Sequence, residues 1–181
     1  MANGKAKGSS WEREVAKFLT KWVTGKEKPY VFWRSPSSGA LQTISEALDA
    51  SGDIIALRDE GKFLTNMFSI ELKTGYPQAS FDKHLKDTKN NDIKGFWDQC
   101  LKDALKAKKR PMLIFRKKGL QPIVGIDPAI NHFLGEHVDL LYSVTLGFGD
   151  ETPRVIFYDM NLFFQIRPEV FINISRLNEV K

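Results

Sequence analysis

Residues 51–75 read S-G-D-I-I-A-L-R-D-E-G-K-F-L-T-N-M-F-S-I-E-L-K-T-G, and the reading of this stretch decides the fold. Asp53 to Leu57 is β-branched and apolar, and the polar cluster Arg58–Lys62 closes it, which predicts a strand. Phe68 to Lys73 alternates, with Phe68, Ile70 and Leu72 on one face and Ser69, Glu71 and Lys73 on the other. Glu71 and Lys73 are thus neighbours on one face of a strand, roughly 7 Å apart along it. An antiparallel hairpin turned through Gly61 would bring Asp53 beside them. Two carboxylates converging on one point, with an ammonium next to them, suit a divalent metal and a polarised water. The plain alternative is an exposed cross-strand ion-pair face, with Asp53 merely opening a strand after a turn.

Outward from this stretch, composition sets the bounds. A chain of 181 residues with 42% hydrophobic and 12% aromatic residues is long and apolar enough to bury a core, which argues against global disorder. Basic residues exceed acidic ones by 27 − 22 = 5. The placement is more telling: Lys102 to Lys118 holds eight basic residues and one acid, Asp103. A run of this kind favours a polyanion, and its densest part, Lys108, Lys109 and Arg110, supplies candidate DNA contacts. The alternative is the solvated end of a helix, where cations also suit the dipole. The single cysteine, Cys100, excludes an intrachain disulfide and a cysteine-cluster zinc site. Three scattered histidines make a histidine-based metal site a poor fit. The first residues lack the apolar core of a signal peptide, and no apolar run approaches the ~18 residues of a membrane span. The expectation is a cytoplasmic protein with no membrane and no small-molecule cofactor.

Ser9-Ser-Trp-Glu12 reads as a capping box ahead of an amphipathic helix through Trp11, Val15, Phe18, Leu19 and Trp22 that ends near Gly25. Glu12 thereby has two readings, a partner for the Ser9 backbone or a first-turn carboxylate facing a metal. Pro29–Arg34 predicts a strand ended by Ser35–Gly39, and a short helix is expected around Ile44–Leu48. Residues 74–93 predict a long polar loop. Ile93–Lys109 restores the helical period until Pro111 stops it. Met112–Phe115 and Pro122–Ile126 predict a hairpin turned at Lys117–Gly119. Asp127-Pro128 starts a helix that Gly135 ends. Leu140–Leu146 and Arg154–Tyr158 predict two more strands, and the aromatic-rich tail Asn161–Leu177 is ambiguous between helix and strand. The order implies an α/β fold with a central mixed sheet flanked by helices, residues 1–181 forming one domain. Its core is expected over about 9–126, followed by a C-terminal α/β extension over about 127–181.

The spacing D-x17-E-x-K, with K-G-S-S-W-E-R-E-V-A-K-F-L (7–19), F-W-R-S-P-S-S-G (32–39), G-D-I-I-A-L (52–57) and I-E-L-K (70–73), resembles the PD-(D/E)xK nuclease superfamily. Within it the chain is similar to the archaeal-type Holliday junction resolvases and their phage relatives, over roughly the first 75 residues. The resemblance implies a restriction-endonuclease-like core. It also implies Mg²⁺, with Mn²⁺ able to substitute, ligated by Asp53, Glu71 and the Leu72 carbonyl. Lys73 would orient the attacking water and favour its hydroxide form, and Glu12 would complete the acidic cluster directly or through water. Arg13 and Arg34 match arginines near the scissile phosphate, and Ser35, Ser37 and Ser38 match a segment that contacts the backbone. Arginine suits phosphate because its fork is always charged and binds bidentately, although Arg34 also fits a plain strand end. Gln99 resembles a glutamine on the helix after the E-x-K strand in other branches; as a polar residue on an amphipathic helix it has a plainer reading.

The first functional expectation is a metal-dependent DNA endonuclease selective for branched DNA, a homodimer whose aromatic tail supplies an apolar interface. The segment before Asp53 and the loop after Lys73 are longer than in the archaeal enzymes. That keeps open a sequence-specific restriction, nicking or homing endonuclease reading bases in duplex DNA. A non-catalytic DNA-binding subunit is a third class, disfavoured because carboxylates clustered near phosphate cost energy unless a metal offsets them.

Overall fold

The computed structural model describes residues 4–35, 51–85, 92–139, 141–148 and 153–179. Helix α1 (Gly4–Thr24) comes first, followed by strands β1 (Phe32–Arg34) and β2 (Ile54–Ala56), helix α2 (Asp59–Met67) and strand β3 (Phe68–Thr74). A short helix α3 (Asp82–Leu85), helix α4 (Asp92–Lys106), strands β4 (Arg110–Arg116) and β5 (Ile123–Ile126), and helices α5 (Pro128–Leu134) and α6 (Glu136–Asp139) follow. The chain ends with β6 (Ser143–Leu146), β7 (Val155–Asp159), α7 (Met160–Phe163) and α8 (Pro168–Glu179). The expected helix around 44–48 lies outside the described residues. No helix among the described residues is long and apolar enough to cross a membrane.

Five strands form a mixed sheet in the order β3-β4-β5-β7-β6, with β3 and β4 parallel and the other pairs antiparallel. The alternation read in β3 sorts its side chains as expected. Phe68, Ile70 and Leu72 join Met112, Ile114, Val124 and Ile126 under α1 and α2, while Leu113 and Phe115 face Phe96, Trp97 and Cys100 of α4 on the other side. The sheet is therefore the middle layer of an α/β structure covered by helices on both faces. The hairpin at Lys117–Gly119 and the Asp127-capped helix form as their turn chemistry requires. Asp127 accepts the backbone N–H groups of Ala129 and Ile130, and Pro128 occupies the first turn.

Two local expectations are corrected. No hairpin turns at Gly61, because residues 59–67 fold as α2. Asp59 and Glu60 sit at its positive end, and Leu64 and Met67 bury one face. A helical crossover returns the chain in the same direction, so the bridge between Gly52 and Ile70 is parallel and β2 pairs antiparallel with β1 instead. Nor does Ser9 cap α1. The helix starts at Gly4 and runs through Ser9, which frees Glu12 from the capping box.

β1 is tied to α1 by Thr20, a buried hydroxyl that donates to the Ala16 carbonyl and accepts the N–H groups of Val31 and Phe32. The tail resolves as two helices. Its aromatics pack inside the chain, with Trp22 against Phe164 at 5.0 Å and Phe171 at 5.4 Å and the Trp22 indole donating to the Ile166 carbonyl. Phe171 is fully buried in this cluster. Phe171→Ala should cost about 3–5 kcal/mol and lower the thermal midpoint by roughly 10 °C. A calorimetric midpoint within a degree or two of wild type would show that α8 contributes little to the fold.

Candidate active site

Asp53 is placed by backbone geometry before any side chain acts. Gly52 adopts φ +77°, and a Cβ there would lie 2.5 Å from the Ile70 carbonyl oxygen, so only glycine fits against β3. This close approach lets the Asp53 N–H donate to the Ile70 carbonyl at 2.7 Å while the Asp53 carboxylate accepts the Leu72 N–H at 2.8 Å. The N–H and C=O of one strand residue point to the same side. The Leu72 carbonyl therefore faces the Asp53 edge of β3, away from β4. Ser35, at the end of β1, donates its N–H to the Asp53 carbonyl at 2.7 Å and so adjoins the same edge.

Glu71 and Lys73 project from the α4 face of β3. The Lys73 ammonium lies 2.7 Å from Glu71 Oε1, donates to Gln99 Oε1 at 2.9 Å, and sits 5.9 Å from the centre of the Phe96 ring. Gln99 thus belongs to the cluster, and α4 is the element that fixes the lysine. Glu12 reaches in from α1 and is paired with Arg34, Oε2 to Nε at 3.1 Å.

Burial, opposed by the Leu72 hydrogen bond, raises the Asp53 carboxyl above its ordinary range, and the nearby charge of Glu12 adds to the shift. Burial likewise raises Glu71, with the Asp53 charge next, against the opposing pull of Lys73. Asp103, one helical turn beyond Gln99 on α4, raises both a little further. The sequence reading counted Asp103 only as the lone acid of a basic run; its four-residue spacing from Gln99 was the signal that it shares that face.

Asp53, Glu71, Leu72, Lys73, Glu12, Arg34, Ser35 and Gln99 are brought together. Arg13 is exposed on α1, with no ion pair to it among the described residues, and Ser37 and Ser38 lie outside them. Lys108, Lys109 and Arg110 stand apart. Arg110 pairs in register with Phe68 and Phe115 with Lys73, so the basic triplet is at the other end of the strand pair, roughly 16 Å away. There Arg110 faces Asp127 at 3.6 Å.

The donor set can be tested for a divalent cation. The half-buried Asp53, the buried Glu71 and the Leu72 carbonyl are hard oxygen ligands, and the like-charge strain between the carboxylates is what a dication relieves. Among the described residues no group of three or more acidic, histidine or cysteine side chains gathers at metal-holding distance. The fit therefore rests on Asp53, Glu71 and the Leu72 carbonyl, with Glu12 held back by Arg34.

The raised Asp53 carboxyl carries a pH consequence. A carboxyl that holds its proton more tightly when folded adds stability at acid pH, and loses that contribution as pH rises through its folded value. In metal-free protein, Asp53→Asn, which keeps an acceptor for Leu72, should raise the thermal midpoint at pH 8 by about 2–4 °C for each kcal/mol relieved. The gap should close toward pH 4. A wild-type midpoint at or above that of the variant at pH 8 would mean Asp53 is not strained by its surroundings.

The geometry agrees with what comparison with known proteins finds. No curated protein and no solved structure matches the chain. A family model described as "Phage putative PDDEXK endonuclease" matches residues 3–173, nearly the whole chain, including β6, β7 and the first half of α8. With the acid–Glu-x-Lys edge assembled on a mixed five-stranded sheet, the chain belongs to this phage PDDEXK endonuclease family of the PD-(D/E)xK superfamily.

Proposed function

We propose that this protein is a Mg²⁺-dependent DNA endonuclease that hydrolyses phosphodiester bonds in branched DNA, as a homodimer acting on paired strands of a four-way junction. The observation that carries the catalytic reading is the clamp of Asp53 onto Leu72, which sets a carboxylate and a backbone carbonyl on the same edge of β3, next in the strand to the Glu71–Lys73 pair. The preference for junctions rests on the resemblance of the first 75 residues to junction resolvases.

Asp53, Glu71 and the Leu72 carbonyl would hold the cation. When bound, it supplies positive charge against the charge growing on the phosphate and favours ionisation of a water. The protein does the rest by position. Lys73, steadied by Gln99 and the Phe96 ring, offers ammonium hydrogens to the attacking water and stabilises its developing hydroxide character. The water oxygen bonds to phosphorus, giving its proton up to solvent, as the bond to the leaving oxygen breaks in line and the leaving oxygen takes up a proton from solvent. Arg34 is 3.1 Å from Glu12 in the free protein, and its fork is suited to the phosphate oxygens. Glu12 would hold Arg34 ready until substrate arrives.

The test sets a labelled four-way junction against a linear duplex of the same arm sequences with Mg²⁺. Symmetric paired nicks in the junction alone are expected; cutting of the duplex at a fixed sequence would replace the junction reading with a sequence-specific one. Asp53→Asn and Glu71→Gln should lose at least about 10³-fold in rate while binding DNA as well as wild type or better. Wild-type rates in either would remove that residue from the site. Lys73→Ala should keep the rise in thermal midpoint that Mg²⁺ gives the wild type yet lose most turnover, and an unchanged kcat would mean another group handles the water. A wild-type midpoint unmoved by Mg²⁺ would count against the metal.

A further inference from the structure

The basic run divides at β4, and its second half, Arg116–Lys118, lies at the catalytic end of the sheet. Thr74, next to Lys73, pairs in register with Arg116 and donates its hydroxyl to the Arg116 carbonyl at 3.2 Å. Here a cleft of about 650 Å³ opens between α1 and the β4–β5 turn, lined by Ser10, Thr74, Gly75, Arg116, Lys117 and Lys118. Its cations differ in how they are held. Lys117 donates to the Ala79 carbonyl at 2.9 Å, while Lys118 is exposed. The Arg116 guanidinium lies 3.9 Å from the centre of the buried Trp11 ring and bonds Glu14 at 2.5 Å. Glu14 in turn accepts from the Ser10 hydroxyl at 3.3 Å.

Three features point to a phosphate ligand. Stacking on Trp11 holds the guanidinium plane, so its remaining N–H groups are oriented in advance for a tetrahedral oxyanion. Its partner Glu14 has a side chain 49% exposed, and an ion pair so open to water is weak enough for a polyanionic strand to displace. The third feature is position. Glu12 and Glu14 lie on the same turn of α1, Glu12 paired toward Arg34 and Glu14 toward Arg116, so the cleft and the carboxylate centre flank one stretch of helix. A nucleic-acid strand carries one phosphate per about 3.4 Å of axis. A strand with one phosphate at Asp53 and Glu71 therefore has further phosphates within reach of this cleft.

We infer that the cleft is a phosphate subsite for the cleaved strand, with Arg116 as its main contact, Lys118 as a second, and Glu14 as the internal counter-ion that the strand displaces. The inference deepens the nuclease reading and rests on it for the identity of the strand. Because it concerns phosphate alone, it should act on all DNA sequences alike and on junction and duplex alike.

The experiment measures binding of metal-free protein to fluorescein-labelled junction and duplex by anisotropy over a range of salt, with cleavage rates measured separately in Mg²⁺. Arg116→Ala should raise Kd about tenfold, and Lys118→Ala by less, for both DNAs. Each should reduce the slope of log K against log salt by about 1. Glu14→Gln should tighten binding, and Arg116→Lys should recover part of the loss. Lys62→Ala, which removes the same charge from α2, should leave Kd near wild type. Because Arg116 also packs on Trp11, exposed Lys118 decides the matter if Arg116→Ala fails to fold. Wild-type Kd and salt slope in Lys118→Ala together with a folded Arg116→Ala would overturn the subsite, even with cleavage intact. Loss of binding in these variants of a protein that cuts no DNA would support the subsite and overturn the nuclease reading. A wild type that neither binds nor cuts DNA would overturn both.

Discussion

The structure depends on a pair of hydrogen bonds between Asp53 and the edge of β3. One joins main chain to main chain at Ile70, and the other joins the carboxylate to the Leu72 N–H. Together they fasten the small β1–β2 sheet to the five-stranded sheet where a single bridge residue, Gly52, makes the only ladder contact described between them. The same two bonds set an acid on the edge of β3 that the Leu72 carbonyl faces. Structural closure and chemical placement are thus one event, and a side chain at position 52 would interfere with both. An acid that is also a strand clasp is held by its main chain and its side chain at once.

Electrostatics shape the rest. Carboxylates held close together destabilise the folded chain, and the protein limits that cost with an adjacent partner for each raised acid, Leu72 for Asp53 and Lys73 for Glu71, while the partly exposed Glu12 pairs with Arg34. Leu72 and Lys73 both lie on β3 and Arg34 on β1, so β3 offsets both raised acids and β1 must dock for the Glu12 pair to form. α4 adds the Gln99 contact that keeps Lys73 from folding wholly onto Glu71. The Arg116–Glu14 pair repeats the same device at the neighbouring cleft, where a cation is kept extended by an acid that water can reach.

The C-terminal third reaches this centre indirectly. β7 lies beside β5 and carries β6 at the far edge, while Phe164 and Phe171 pack on Trp22 and hold α1 from behind. α1 carries Glu12 and Glu14, so the tail steadies the helix that presents both acids. The aromatics expected to supply a dimer interface are in large part spent inside the chain, since Phe163, Phe164 and Phe171 are buried.

Much was legible in the residues alone because it depends on local rules. Alternation assigned both faces of β3, turn and cap chemistry located the β4–β5 hairpin and α5, and the Asp53, Glu71, Lys73 pattern picked out residues that the fold gathers at one end of β3. The route between those residues was not legible, since a nine-residue segment with Gly61 inside it suits a turn as readily as a helix until Leu64 and Met67 find a core to enter. The place of Asp103 was hidden, and that of Gln99 was offered only by resemblance, because a polar position on an amphipathic helix acquires meaning only from what the opposite element presents. The basic run shows the same limit most plainly. Its charge was evident from sequence, but β4 sets Lys108–Arg110 and Arg116–Lys118 at opposite ends of an extended strand, and which cations stand beside Glu71 and Lys73 follows from the parallel register of β3 and β4, a long-range pairing that composition does not encode.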